Sequence, residues 1–295
     1  MYENEIDSVR ALLQSSPRPT SLTERRQRLD LVASADPVAP DIYFERQIIG
    51  TCEAEWSLAP GSDPTKTLLF FHGGGYCSGS IQSHRRMVAE TGRAARVRTF
   101  ALGYRLAPEN PFPAALDDGL AAFEFLLAQK VPAASIAIGG DSAGGGLTLA
   151  TMIRLRDAGK PLPGCAWLVS PWVDLEMTGA SMDEKDTVDP LIHRDYLEEL
   201  AGAYLAGTSA REPLASPLHA DLPGLPPILI QVGSAETLLD DAVRIARRLG
   251  AVDVATSLEI WPHMIHAWPL WAARLTSGRM AIASAGAFIN EHLAT

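Results

Sequence analysis

Two short runs constrain this chain more than any other feature. Thr67-Leu-Leu-Phe-Phe71 and Ile228-Leu-Ile-Gln-Val232 are nearly continuous in apolar residues. A strand covered on both faces has this composition, and such strands sit inside a parallel sheet. Further β-rich runs at 99–104, 135–138, 166–169 and 257–261 are each bounded by Gly, Pro or polar turn residues. Between most of them apolar residues recur three and four apart, as at 116–127, 145–155 and 239–249, which is the period of a helix. This alternation predicts the α/β class: a mostly parallel central sheet flanked by helices on both faces. With 295 residues, 47% of them hydrophobic, the chain is expected to form one large domain with an accessory lid.

Two stretches break the alternation. The first, from the N-terminus to about residue 30, is helix-forming and carries Glu24-Arg-Arg-Gln-Arg28; the second, about 175–211, is rich in acidic residues and falls between two predicted strands. Long insertions in compact domains are often functional, and a lid above the strand ends is the expectation for both.

The charge balance, 25 basic against 35 acidic residues for a formal net charge of −10, comes without a basic cluster that could hold phosphates. Nucleic acid and anionic membrane are therefore not expected as partners. Cys52, Cys77 and Cys165 are odd in number and far apart, which fits neither a disulfide framework nor a C-x-x-C site. The acidic N-terminus does not read as a signal peptide, and the apolar run 280–289 is well short of the roughly 20 residues that cross a bilayer. The expectation is a soluble, cytoplasmic protein.

The strongest chemical signal is Gly140-Asp141-Ser142-Ala143-Gly144, a G-x-S-x-G sequence between a predicted strand and a predicted helix. A sharp turn there lifts the serine hydroxyl out of the sheet and sets it at a helix N-terminus, where partial positive charge favours an oxyanion. A chance Gly-rich turn is the alternative; a phosphate loop is excluded because no Lys follows the glycines. The second signal is His72-Gly73-Gly74-Gly75, directly after the first apolar strand. Its bare glycines leave backbone N–H groups free to face a developing alkoxide, so Gly74, Gly75 and Ala143 are the candidate oxyanion donors. His72 and Gly73 read as loop support, His72 bracing the turn rather than moving protons.

A serine nucleophile needs a base. His266 and His263, three residues apart after the last predicted strand, both qualify on position, and no third cluster at metal-ligand spacing accompanies them. No metal and no cofactor is expected. His84, His193, His219 and His292 read as surface or lid residues. The acid should lie between serine and histidine in the chain. Glu236 follows the strand ending at Val232, whereas Asp240 and Asp241 fall where the next helix begins and read as charge complementing its N-terminus.

These residues, with Tyr104-Arg-Leu-Ala-Pro-Glu109, Ser170-Pro-Trp-Val-Asp174 and Met264-Ile-His-Ala267, make the chain from about residue 68 onward resemble bacterial esterases related to mammalian hormone-sensitive lipase. The resemblance implies an α/β-hydrolase fold with a helical cap: residues 1–40 as its N-terminal part, and 41–295 as the catalytic domain with a cap insertion at about 175–211. It implies Ser142 as nucleophile and, between the two histidines, His266 as base. It also implies Gly74, Gly75 and Ala143 as oxyanion hole, and Glu236 as acid, where the family usually has the Asp of Asp-Pro-Leu. Pairing of two copies along the edge formed by the last strand is a further implication.

The expected activity is that of a serine carboxylesterase acting through an acyl-enzyme on small-molecule esters with short to medium acyl chains, lactones and acetylated small molecules being included. An amide-cleaving deacetylase or peptidase shares the machinery and is separated only by matched ester and amide substrates. A non-catalytic binding protein, such as the plant gibberellin receptor, resembles the family but lacks a working base, and His266 argues against it.

Overall fold

The computed structural model describes residues 2–16 and 19–293. Two helices, α1 (Tyr2–Gln14) and α2 (Leu22–Ser34), precede the hairpin β1 (Tyr43–Ile49) and β2 (Cys52–Leu58). Then follow β3 (Asp63–Phe71), α3 (Ile81–Ala95), β4 (Val97–Gly103), α4 (Ala114–Ala128), β5 (Ile136–Asp141), α5 (Ala143–Asp157) and β6 (Cys165–Val169). The short α6 (Ser181–Glu184) and α7 (Arg194–Leu205) interrupt the alternation before β7 (Ile228–Gly233), α8 (Leu239–Gly250), β8 (Thr256–Trp261) and α9 (Thr276–His292).

The strands form one sheet in the order β1-β2-β4-β3-β5-β6-β7-β8. It is parallel from β4 to β8, and the hairpin adds two antiparallel pairings at one edge. That hairpin lies outside the six runs legible in the sequence. Its strands carry Glu45, Arg46, Glu53 and Glu55, and β1 is mostly exposed, so no apolar run marks it; it pairs because β4 offers an open edge. Helix α3 is also new, set by a capping box in which Ser80 and Ser83 each satisfy the other's backbone N–H.

Alternate residues of β3 enter different cores, as the two-residue period of a strand requires. Leu69 and Phe71 pack with Leu126 of α4, Leu147 of α5 and Ile245 of α8. Leu68 and Phe70 pack on the other face with Met87 of α3 and Ile282 of α9. The β3–β5–β6 register sets Phe71 beside Gly140 and Asp141 beside Val169, so the loops that leave these strands emerge side by side at one end of the sheet. Among the described residues no helix is long and apolar enough to cross a membrane.

Candidate active site

Ser142 occupies the one-residue turn between β5 and α5 with φ 53° and ψ −121°, a conformation costly for any side chain other than glycine. The turn is tight enough to dictate its neighbours. A Cβ on Gly144 would lie 2.0 Å from the Phe71 carbonyl oxygen, and one on Gly140 would lie 2.3 Å from that of Gly144. The Ser142 N–H donates to Val169 O (2.9 Å), which ties the turn to β6. Ala143 opens α5, where an N–H has no intrahelical acceptor.

The loop after β3 meets this turn from the side. Gly73 donates its N–H to Asp141 Oδ1 (2.9 Å), His72 Nδ1 donates to Gly73 O (2.8 Å), and the Tyr104 hydroxyl donates to His72 O (2.7 Å). Gly74 and Gly75 have φ of 114° and 63°, and a Cβ on Gly75 would lie 2.2 Å from Leu200 Cδ1 of α7. Glycine is required at both for backbone and space alike. No hydrogen bond among the described residues engages the N–H of Gly74, Gly75 or Ala143. His72 is buried and stacked on Tyr104, with ring centroids 4.2 Å apart. Burial, with the charge of His84 second, pushes its pKa down to about 3, so it stays neutral at neutral pH.

From the far side of the sheet end come Glu236 and His266. Glu236 is fully buried in the turn after β7: Oε2 accepts from Gly233 N (2.9 Å) and Ser170 Oγ (2.8 Å), and Oε1 faces His266 Nδ1 at 3.3 Å. Burial raises the Glu236 pKa, with the hydrogen bond from His266 opposing. For His266, burial alone would lower the pKa, but the Glu236 hydrogen bond and charge, assisted by Asp189 and Asp141, leave it raised. Asp240 and Asp241 are placed elsewhere. Asp240 Oδ2 accepts from Ser181 N (3.0 Å), and Asp241 Oδ2 accepts from Val173 N and Asp174 N (2.9 and 3.0 Å). His263 donates its backbone N–H to Ser234 and is exposed.

Gly74, Gly75, Ser142 and His266 all line one cavity of about 510 Å³. The rest of its wall includes residues of α1 and α2 (Leu13, Leu29, Val32), of α3 (His84, Met87), of the segment 190–200 (Tyr196, Leu200), and Leu270 and Trp271. Tyr76, Trp172 and Trp268, the aromatic residues beside the motifs, are core residues outside that wall.

Comparison with known proteins gives this arrangement its place. Residues 68–270 match the family model described as alpha/beta hydrolase fold. A solved esterase from the bacterial hormone-sensitive lipase family superposes with a TM-score of 0.96 at 42% identity, covering 99% of both chains. The chain belongs to this family. It is a carboxylic ester hydrolase with the α/β-hydrolase fold. EstE5, solved after soaking with p-nitrophenyl butyrate, is 41% identical over 99% of both chains, with a TM-score of 0.95. An acetyl-hydrolase of Streptomyces hygroscopicus is 46% identical over 241 residues, which is 82% of this chain and 80% of that protein.

Several residues of the esterase's site were not singled out from sequence. His84, read there as a surface or lid residue, is buried against Asp141. A one-sided pattern of polar and apolar positions would have been needed to place it, and Gln82 to Arg86 present polar side chains at every position. Ser170 bonds Glu236 and also accepts from Ala267 N (3.0 Å), so it clamps acid and histidine segments together. Its signal was the Ser170-Pro-Trp-Val-Asp174 motif itself. Of the other histidines, His193 lines the cavity, His219 is half-buried beside Asp174, and His292 bonds within α9.

Proposed function

We propose that Ser142 is the nucleophile of an acyl-transfer cycle in which His266 is the general base and Glu236 the acid that orients it. Ser142 Oγ attacks the ester carbonyl as its proton passes to His266 Nε2. The tetrahedral oxyanion accepts from the N–H groups of Gly74, Gly75 and Ala143. Its collapse expels the alcohol, protonated by His266, and leaves an acyl-serine. Water then attacks the acyl carbon, losing its proton to His266, and the acid departs as Ser142 is restored. Glu236 holds the Nδ1 side of the ring throughout, which keeps Nε2 turned to the reacting atoms. His72 and Gly73 shape the loop and take no proton.

The observation that carries this reading is convergence. A strained serine, three unengaged backbone donors and a histidine backed by a buried carboxylate open on a single cavity. We assign residues 1–40 and the insertion at about 175–211 to a cap over that cavity, with 41–295 as the catalytic domain that bears the insertion. A cavity of about 510 Å³ under a cap suits small-molecule esters with short to medium acyl chains, the acetylated ones included. EstE5's p-nitrophenyl butyrate and the Streptomyces acetyl-hydrolase point to the same size range. Three free, buried cysteines suit a cytoplasmic location.

The test is a p-nitrophenyl acyl series from acetate to palmitate, with p-nitroacetanilide as the matched amide, on wild type, Ser142→Ala, His266→Ala and Glu236→Ala, each checked for folding. Acetate to hexanoate should be turned over best and the amide poorly. The first two variants should lose all but a trace of activity. Preference for palmitate would overturn the substrate reading, and an active Ser142→Ala would overturn the mechanism.

A further inference from the structure

His84 takes no part in the proposed chemistry, yet it stands beside it and, with Asp141, lines the same cavity. Its ring is buried between α3 and the end of β5, with Nε2 at 3.1 Å and 3.2 Å from the two oxygens of Asp141. Asp141 immediately precedes Ser142 and accepts the Gly73 N–H at 2.9 Å. The two parts of the site, the serine turn and the glycine loop, therefore share one carboxylate. Residue 73 can carry no side chain there, because a Cβ on Gly73 would lie 2.3 Å from Asp141 Oδ2.

A buried carboxylate that loses a partner becomes both costly and free to turn. Burial by itself would raise the Asp141 pKa, but the charge and hydrogen bond of His84 bring it below the ordinary carboxylate range, so it stays ionised. An ionised Asp141 is the stronger acceptor for Gly73. His84 Nε2 lies near Gly73 N (3.2 Å) as well as Asp141, but a carboxylate can only accept, so the Nε2–H points at Asp141 and the Gly73 N–H is left to Asp141 Oδ1. The other ring nitrogen is held as well: Nδ1 lies 2.8 Å from Ser83 Oγ and 3.3 Å from Ser80 O. Ser80 in turn donates its hydroxyl to Asp30 of α2. A continuous chain of polar contacts thus runs from α2 through the start of α3 and His84 to Asp141 and on to the N–H of Gly73, the residue before Gly74.

We propose that His84 is a positioning residue for the oxyanion loop. By fixing the Asp141 carboxylate, it holds the Gly73 N–H and so sets the Gly74 and Gly75 N–H groups against Ser142. This inference rests on the reading of Gly74, Gly75 and Ala143 as the oxyanion hole. Donors of that kind act on the transition state far more than on bound substrate, so their misalignment appears in kcat and leaves KM nearly unchanged.

The experiment measures kcat and KM on p-nitrophenyl butyrate, with thermal unfolding, for wild type, His84→Leu, His84→Gln, Ser83→Ala and Ser142→Ala. His84→Leu should lower kcat about 100-fold with KM within about threefold, the scale expected for losing one oxyanion donor. His84→Gln, which restores an N–H toward Asp141, should recover about tenfold of that loss, and Ser83→Ala should lower kcat in the same direction by less. A folded His84→Leu with near-wild-type kcat, or with its loss confined to KM, overturns the inference. Should His84→Leu fail to fold, unchanged kcat in both His84→Gln and Ser83→Ala overturns it. If Ser142→Ala abolishes turnover while the His84 variants are silent, this inference alone fails. If Ser142→Ala stays active, the underlying reading fails with it.

Discussion

At His266 two effects oppose each other. Burial disfavours the imidazolium, the Glu236 carboxylate favours it, and the carboxylate prevails, so the pKa rises above the ordinary 6.5. As the proposed general base, His266 works only when neutral. Activity should therefore be lost as pH falls through a value above 6.5, and the acid limb of the kcat/KM profile locates it. Glu236→Gln removes the charge that raises the pKa and leaves burial, so the limb should move to lower pH while the plateau falls by roughly 10³-fold or more. Plateau loss with an unmoved limb would mean that Glu236 does not orient His266. Asp241 offers a contrasting test on stability. Burial raises its pKa to about 8, so the folded protein keeps a proton that the unfolded chain releases from about 3.8 upward. Stability from this group is present at low pH and declines as pH rises toward about 8. Asp241→Asn should flatten that decline in urea titrations across the interval. From sequence, Glu236 was separable from Asp240 and Asp241 by loop position alone, whereas His84 was not placeable. Its role depends on a contact with Asp141 57 residues away, and no local pattern encodes such a distance.

At the scale of elements, the site exists because three connections pack without side chains between them. Gly144 of α5 lies against the end of β3, and the Cβ of an alanine there would approach the backbone oxygens of Phe71 and His72 to 2.0 and 2.8 Å. Backbone cannot yield as a flexible side chain does, so Gly144→Ala should cost about 3 kcal/mol or more, at the upper end of single substitutions. Chemical denaturation measures this, and a variant of wild-type stability would show that the turn can yield to a methyl group. The elements legible in sequence were those with a strong period. The β3, β5, β6 and β7 strands are buried along most of their length, and α4, α5 and α8 repeat at helical spacing. Hairpin β1–β2 was not legible, because an exposed edge needs no apolar run and its pairing is decided by β4.

At the scale of the whole molecule, a rigid parallel sheet presents the reacting groups, while separate segments of chain build the cavity wall. Those segments break the α/β alternation, and their departure from it is what the sequence revealed. Their contacts with the substrate space were not readable, since α1, α2 and residues 190–200 meet only in the folded protein. β8 ends the sheet with one strand partner, and Ile260 on it is 47% exposed. Two copies are expected to pair along this edge; sedimentation should give a dimer for wild type and a monomer for Ile260→Lys, and a monomeric wild type would contradict the pairing.

In the proposed cycle Ser142 carries the acyl group. The most direct measurement is rapid acid quench of the wild-type enzyme during turnover of p-nitrophenyl butyrate, followed by peptide mass spectrometry. A butyryl adduct is expected on Ser142 in the wild type and is expected to be absent from Ser142→Ala. An adduct on another residue, or turnover by Ser142→Ala at the wild-type rate, would contradict the cycle.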